Sequence, residues 1–221
     1  MLRPRFDRRR STDLLMRCVS ELEVRTSAEV VLAIRKQSGS YADINWLVGS
    51  ACSFLLLNFI LFAPQEVHPL EIPLPILLAF FGGAALSEWT GLSAKLTGAP
   101  RKLKQVEDSA QKLFRDHVAG KTRAKTGVLI YLSIRERAAH LEADTGVLTA
   151  LNSELLQEFR ERFELELREC PASMRADRIG GVLRTFGVAL ERNMPPEESI
   201  EERDNQLADD ILLHSNSERP L

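Results

Sequence analysis

Three cysteines in 221 residues, Cys18, Cys52 and Cys170, are too few and too widely spaced for a disulfide framework or a zinc site. Charge excess is also missing. A net charge of -2 gives no bulk attraction to nucleic acid, so nucleic acid is not an expected partner. The Arg-rich start (Arg3, Arg5, Arg8, Arg9, Arg10) is not followed by an apolar stretch with a small-residue cleavage site, so it does not read as a signal peptide. Gly-rich P-loop, Cys-x5-Arg and Gly-x-Ser-x-Gly patterns are all absent, which removes the common sequence signatures of phosphoryl and acyl transfer.

Charge is missing altogether from one long run. Ile44 to Ala63 holds no Asp, Glu, Lys or Arg. At a helical rise of about 1.5 Å per residue it covers the roughly 30 Å of hydrocarbon in a bilayer. Pro73 to Trp89 is a second apolar run, opened by two prolines suited to a first helical turn and charged only at Glu88. The connection Pro64 to Ile72 is too short for a domain, so the two runs predict an antiparallel transmembrane hairpin within 44–92.

Orientation follows from charge. Arg35, Lys36, Lys95, Arg101, Lys102 and Lys104 flank the outer ends, whereas the connection carries Glu66, His68 and Glu71 and no Lys or Arg. This pattern predicts a multi-pass protein of the cell (inner) membrane with both termini cytoplasmic. Trp46 and Trp89 fall at the same expected interface. Gly49 to Ser53 and Gly82 to Ala85 place small residues opposite one another, suited to close backbone packing. Asn58 near the outer end and Glu88 near the interface do not suggest an ion path. The faces are not polar enough for a pore, and a second copy of the chain is one further candidate partner.

Outside the hairpin the pattern is that of a folded domain. Ser11 is an expected helix cap, and Leu14, Leu15, Cys18, Val19 and Leu22 share one face. Ala28 to Ile34 reads as a strand. Lys102 to Val118 reads as an amphipathic helix, Gly127 to Ile134 as a central strand, and Arg137 to Ala143 as its neighbour across a turn at Arg135 and Glu136. Helices are expected over Val147 to Arg168 and Arg175 to Arg192, the second stopped by Pro195 and Pro196. The expected organisation is therefore a basic tail (1–10), a first helix and strand (11–36), the hairpin insertion with helices of about 44–63 and 73–89, the rest of the domain (100–195), and an acidic, partly ordered tail (196–221). The class is α/β, a three-layer sandwich interrupted by a membrane hairpin and held at the bilayer by short tethers.

Four segments carry a family resemblance: Thr26 to Ile34 (TSAEVVLAI), Thr126 to Ile134 followed by Glu136 and Arg137, Ala143 to Val147 (ADTGV), and Asn205 to Asp209 (NQLAD). In order and spacing they resemble the TPM-domain family, the group related to a thylakoid-lumen acid phosphatase-like protein and a photosystem II repair factor. The resemblance implies a Rossmann-like sandwich and, in some members, an acidic calcium site or weak phosphatase activity. It would carry metal-binding roles onto Glu29, Asp144 and Asp209, with Asp204 as a neighbour, for calcium or another divalent cation. The sequence departs from the family at Ala143, Gln206 and Ala208, and in having its hairpin inside the domain.

The residues themselves leave plainer roles open. Glu29 suits a strand edge, Asp144 an N-cap and Asp209 a solvated tail. His117 and His140 qualify for acid/base work by residue type alone. The basic N-terminus would be attracted to an anionic leaflet by roughly 1 kcal/mol per cation, or else be a solvated tail. The expected function is that of a membrane-anchored interaction, assembly or maintenance module for membrane components, with the lipid bilayer and an unidentified membrane protein as partners. The alternative is a weak metal-assisted phosphatase using the acidic residues.

Overall fold

The computed structural model describes residues 8–64, 68–122, 125–171, 173–196 and 212–214. It is a mixed α/β chain, mostly helical, with a small sheet. Two compact units emerge, one formed by the chain through Ser38 and from Leu103 onward, the other by Gly39–Lys102.

The first unit is built on a sheet of order β3-β2-β1-β4. β1 (Glu29–Arg35) pairs in parallel with β2 (Gly127–Ser133) over seven positions, from Glu29 opposite Gly127 to Arg35 opposite Ser133. β3 (Ala138–Ala143) returns antiparallel to β2 across a turn in which Arg137 adopts φ 52°. On the other side β4 (Leu212–His214) runs parallel to β1. Every residue of β2 is buried, as its continuous apolar run requires of a strand covered on both faces.

Alternation along the strands sorts the core into two layers. Val30, Leu32, Val128, Ile130 and Leu132 face α1 (Arg8–Arg25), α7 (Ser153–Glu169) and α8 (Arg175–Asn193), where Phe163, Leu183 and Phe186 are fully buried. Val31, Ala33, Leu129 and Tyr131 face α5 (Ala99–His117) through Val106, Ala110 and Leu113. Close approach of α1 to α8 depends on glycine. A Cβ at Gly180 would lie 3.1 Å from Leu14 Cδ2, and one at Gly187 would lie 3.1 Å from Leu22 Cγ.

The structure corrects three boundaries. α1 begins at Arg8, a turn before the expected cap Ser11, because the preceding arginines are themselves good helix formers. The single helix expected over Val147 to Arg168 is two. α6 (Thr145–Ala150) ends at Leu151, whose backbone is extended, and Asn152 starts α7 by accepting the Leu155 N–H at 2.9 Å. The segment expected as a tail (196–221) contributes β4 to the sheet.

The second unit contains α2 (Ala42–Phe62), a 3-10 turn (Pro69–Glu71), α3 (Pro73–Thr90) and the short α4 (Leu92–Leu96). α3 ends on Gly91, whose φ of 70° lets its N–H reach the Glu88 carbonyl. α2 and the helical stretch Pro69–Thr90, made of the 3-10 turn and α3, are long and apolar enough to cross a membrane. Their outward side chains are largely exposed, including Phe59 (73%), Phe62 (84%) and Trp89 (86%).

Small residues bring the two helices together. A Cβ at Gly49 would lie 2.5 Å from the Phe80 carbonyl oxygen, and one at Gly83 would lie 2.8 Å from Cys52 Sγ. Ser53 also donates to the Ile76 carbonyl at 3.0 Å. Gly82, by contrast, faces open space. Gly49→Val should therefore weaken the hairpin by about 1–3 kcal/mol through overpacking, while Gly82→Ala should not weaken it. Sodium dodecyl sulfate titration of the full chain in maltoside micelles, read by the fluorescence of Trp46 and Trp89, measures both.

Candidate functional site

The two ends of the parallel strands differ in chemistry. At the amino ends, Glu29, Gly127 and Asp144 occupy successive positions across β1, β2 and the residue following β3. The Glu29 N–H donates to the Thr126 carbonyl at 3.2 Å, and the Asp144 N–H to the Gly127 carbonyl at 2.9 Å. Folding thus brings together two acidic residues 115 positions apart in sequence. They remain separated by an intervening strand, or about 10 Å at the usual strand spacing.

Asp144 is already engaged. Its Oδ1 accepts the Thr145 N–H at 2.8 Å, capping α6, and its Oδ2 accepts the Gly120 N–H at 3.1 Å, which ties the loop after α5 to the sheet. Asp204 and Asp209 lie outside the described residues. Among the described residues no group of three or more His, Cys, Asp or Glu side chains is close enough to share a metal ion. His117 is exposed in the last turn of α5. His140 Nε2 sits 2.8 Å from Glu142 Oε2 on β3, where it pairs in register with Tyr131.

At the carboxyl ends lies a polar network that periodicity could not reveal, because its members come from four separate elements. Ser38, the last residue of the first unit before the Gly39–Lys102 insertion, has all its polar groups engaged. Its N–H donates to Glu136 at 3.3 Å and its carbonyl accepts from Ser109 at 3.0 Å. Its hydroxyl donates to Ser133 at 2.8 Å and lies 2.9 Å from the Tyr131 hydroxyl, while Ser133 in turn donates to the Glu136 carboxylate. Hydroxyl donation therefore runs in one direction, from Tyr131 through Ser38 and Ser133 to a carboxylate. Backbone bonds from Ile134 to Arg35 and from Arg135 to Lys36, both 3.0 Å, continue the strand pairing to this point.

Burial pushes the Tyr131 hydroxyl above its ordinary value, against the lowering by its hydrogen bonds with Ser38 and Ser109 and by the charge of Arg35. Ser133 is fully buried, so this network is built to hold backbone rather than to attack a substrate.

A third feature lies between α1 and α8. Asp13, Leu14, Arg17, Cys18, Glu21 and Arg184 line an open groove of about 400 Å³. Arg184 Nη1 is 3.7 Å from Cys18 Sγ, yet burial pushes that thiol upward, which keeps it in the unreactive thiol form.

Two outcomes follow. Asp144→Asn should keep the α6 cap through its amide oxygen but lose the Gly120 bond, because its NH2 cannot accept, at about 0.5–1.5 kcal/mol, whereas Asp144→Ala loses both bonds and should cost about 1–2 kcal/mol or more; urea unfolding of the full chain in micelles compares them. Tyr131→Phe should cost about 0.5–1.5 kcal/mol at neutral pH. Because the folded state raises the Tyr131 value, its contribution is present below about pH 10 and is lost as pH rises through the folded value. Stability of the natural chain should therefore fall more steeply above pH 10 than that of Tyr131→Phe, as thermal midpoints across that range would show.

No family model matches the chain, and no curated protein matches it. Among solved structures it is similar to the NMR structure of BA42 protein from the psychrophilic bacterium Bizionia argentinensis, at 14% identity and a TM-score of 0.49, covering 90% of this chain and 92% of that one.

Proposed function

We propose that the protein is a membrane-anchored, TPM-like domain that serves as an interaction, assembly or maintenance module for other membrane components. The observation that carries the reading is the exposure of large apolar side chains along both α2 and α3, among them Leu47, Phe54, Phe59, Leu74, Leu78 and Phe81. Water-soluble surfaces rarely leave so extended an apolar patch uncovered. Within a bilayer the same side chains are solvated by lipid, and the helical backbone satisfies its own hydrogen bonds. The TPM part of the proposal rests on the four sequence segments, supported by the parallel β1–β2 pair and helices against both sheet faces.

The hairpin junction at Ser38 and the acidic row at Glu29 and Asp144 belong to opposite ends of the strands. With seven residues in β1, roughly 20 Å separates them. Commitment of both Asp144 oxygens to backbone N–H groups supports a capping role over catalysis, so the interaction module is preferred to the phosphatase.

The chain should remain in the membrane pellet after carbonate extraction, and its recovery in the supernatant would end this reading. With the three native cysteines replaced, Leu70→Cys should react with an impermeant maleimide on intact cells, whereas Ser199→Cys should react only after permeabilisation. Equal reaction of both would contradict an inner-membrane hairpin with cytoplasmic termini. Turnover of p-nitrophenyl phosphate that is abolished in a folded Asp144→Asn variant would favour the hydrolase instead.

A further inference from the structure

α4 is inverted for a helix in water. It packs on α2 and α3, and its polar residues turn inward. Ser93 and Thr97, the residue that ends α4, are buried, and the Thr97 hydroxyl donates to the Ser93 carbonyl at 2.8 Å. Leu92 and Leu96 turn outward instead, 39% and 58% exposed, with Lys95 on the same face. That face begins one turn after the exposed Trp89, and Leu103 in the opening turns of α5 is a further exposed leucine.

Charge on this stretch has one sign. From Trp89 to Val106 the sequence holds Lys95, Arg101, Lys102 and Lys104 and no Asp or Glu. Arg101 is committed to Asp43 in the first turn of α2, at 2.7 Å. Among the described residues Lys95, Lys102 and Lys104 form no ion pair, and Lys95 and Lys104 are exposed. Water accounts for the lysines but not for the leucines, and acyl chains account for the leucines but not for the lysines. The boundary between the two, where lipid phosphates stand, accounts for both, because lysine stems lie along apolar surface while their ammonium groups reach the headgroups.

We propose that α4 and the opening turns of α5 form an interfacial collar that binds anionic phospholipid, with Leu92 and Leu96 at the acyl boundary and Lys95, Lys102 and Lys104 against lipid phosphates. The collar rests on the membrane reading and adds to it a lipid class and the residues that select it. Selection comes from the lack of a local acid. A zwitterionic headgroup brings its own cation towards the lysines, whereas phosphatidylglycerol brings only its phosphate.

The test uses the full chain in phosphatidylcholine vesicles. Spin-labelled phosphatidylglycerol should associate with the protein boundary in preference to spin-labelled phosphatidylcholine, by about fivefold for each lysine engaged, and salt at about 0.5 M should remove most of the preference. Joint Lys95→Gln, Lys102→Gln and Lys104→Gln should abolish it, arginine at the same three positions should keep it, and Arg115→Gln, in the last turn of α5, should leave it unchanged. With the native cysteines replaced, a fluorescent label at Leu96→Cys should be quenched by brominated acyl chains and protected from iodide. Quenching by iodide would put water on this face and quenching by neither would put protein there; either result overturns the collar, as does an undiminished preference in the triple glutamine variant. Flotation with vesicles of phosphatidylcholine alone needs only the hairpin. Its loss ends the membrane reading and the collar with it, whereas flotation without a preference for phosphatidylglycerol ends the collar alone.

Discussion

The parallel pairing of β1 with β2 governs the rest of the fold. Seven consecutive pairs join residues that are separated in sequence by the whole Gly39–Lys102 unit. Closing such a loop costs entropy before any pair is made, although that cost grows only logarithmically with loop length. The hairpin reduces it by folding on itself, since the close approach of Gly49 and Gly83 makes the insertion compact. An insertion of this size is tolerated in the middle of a sheet because the inserted chain has its own contacts, and β2 is buried on both faces however its partner strand is supplied.

Ser38 is where that tolerance would fail without reinforcement. A strand continuing into an independent unit tends to fray at its last residues, where ladder bonds run out. Here the ladder is extended by the bonds of Ile134 and Arg135, and Ser38 is then held by side chains from β2, the β2–β3 turn and α5. A polar network of this kind stabilises only when every member has a partner, because in a low-dielectric interior an unmet group is costly. For Ser38 every polar group is met. The amino end of the strands has a corresponding tie in Asp144, which joins β3, α6 and the loop after α5 through two backbone N–H groups.

Much of the architecture was legible because burial leaves a period. The alternating and continuous apolar runs of β1, β2 and β3, and the helical stripes of α1, α5 and α8, fall where the sequence pattern puts them to within a turn. The break between α6 and α7 was hidden because Leu148, Leu151, Leu155 and Phe159 keep helical spacing through it; Asn152 was the available signal, as a residue that competes with the helix by capping the next one. β4 was hidden by its shortness. Three residues beside an acidic run do not form a period, and β4 exists only because β1 offers a free edge. In the candidate site, Glu29 and Asp144 were identified as acidic positions, but their separation by Gly127 depends on register, which no local pattern fixes. The Ser38 network was invisible for the same reason.

The contrast between Ser38 and its neighbours sharpens the reading of that end of the sheet. Ordinary packing leaves few enclosed polar atoms without partners, and each costs about 1–3 kcal/mol. Yet the end that satisfies every group of Ser38 leaves Arg35 Nε and Gln105 Oε1 unmet. Replacing both by apolar side chains of similar shape would relieve the cost without disturbing the network, since neither residue holds Ser38, Ser133 or Glu136 in place.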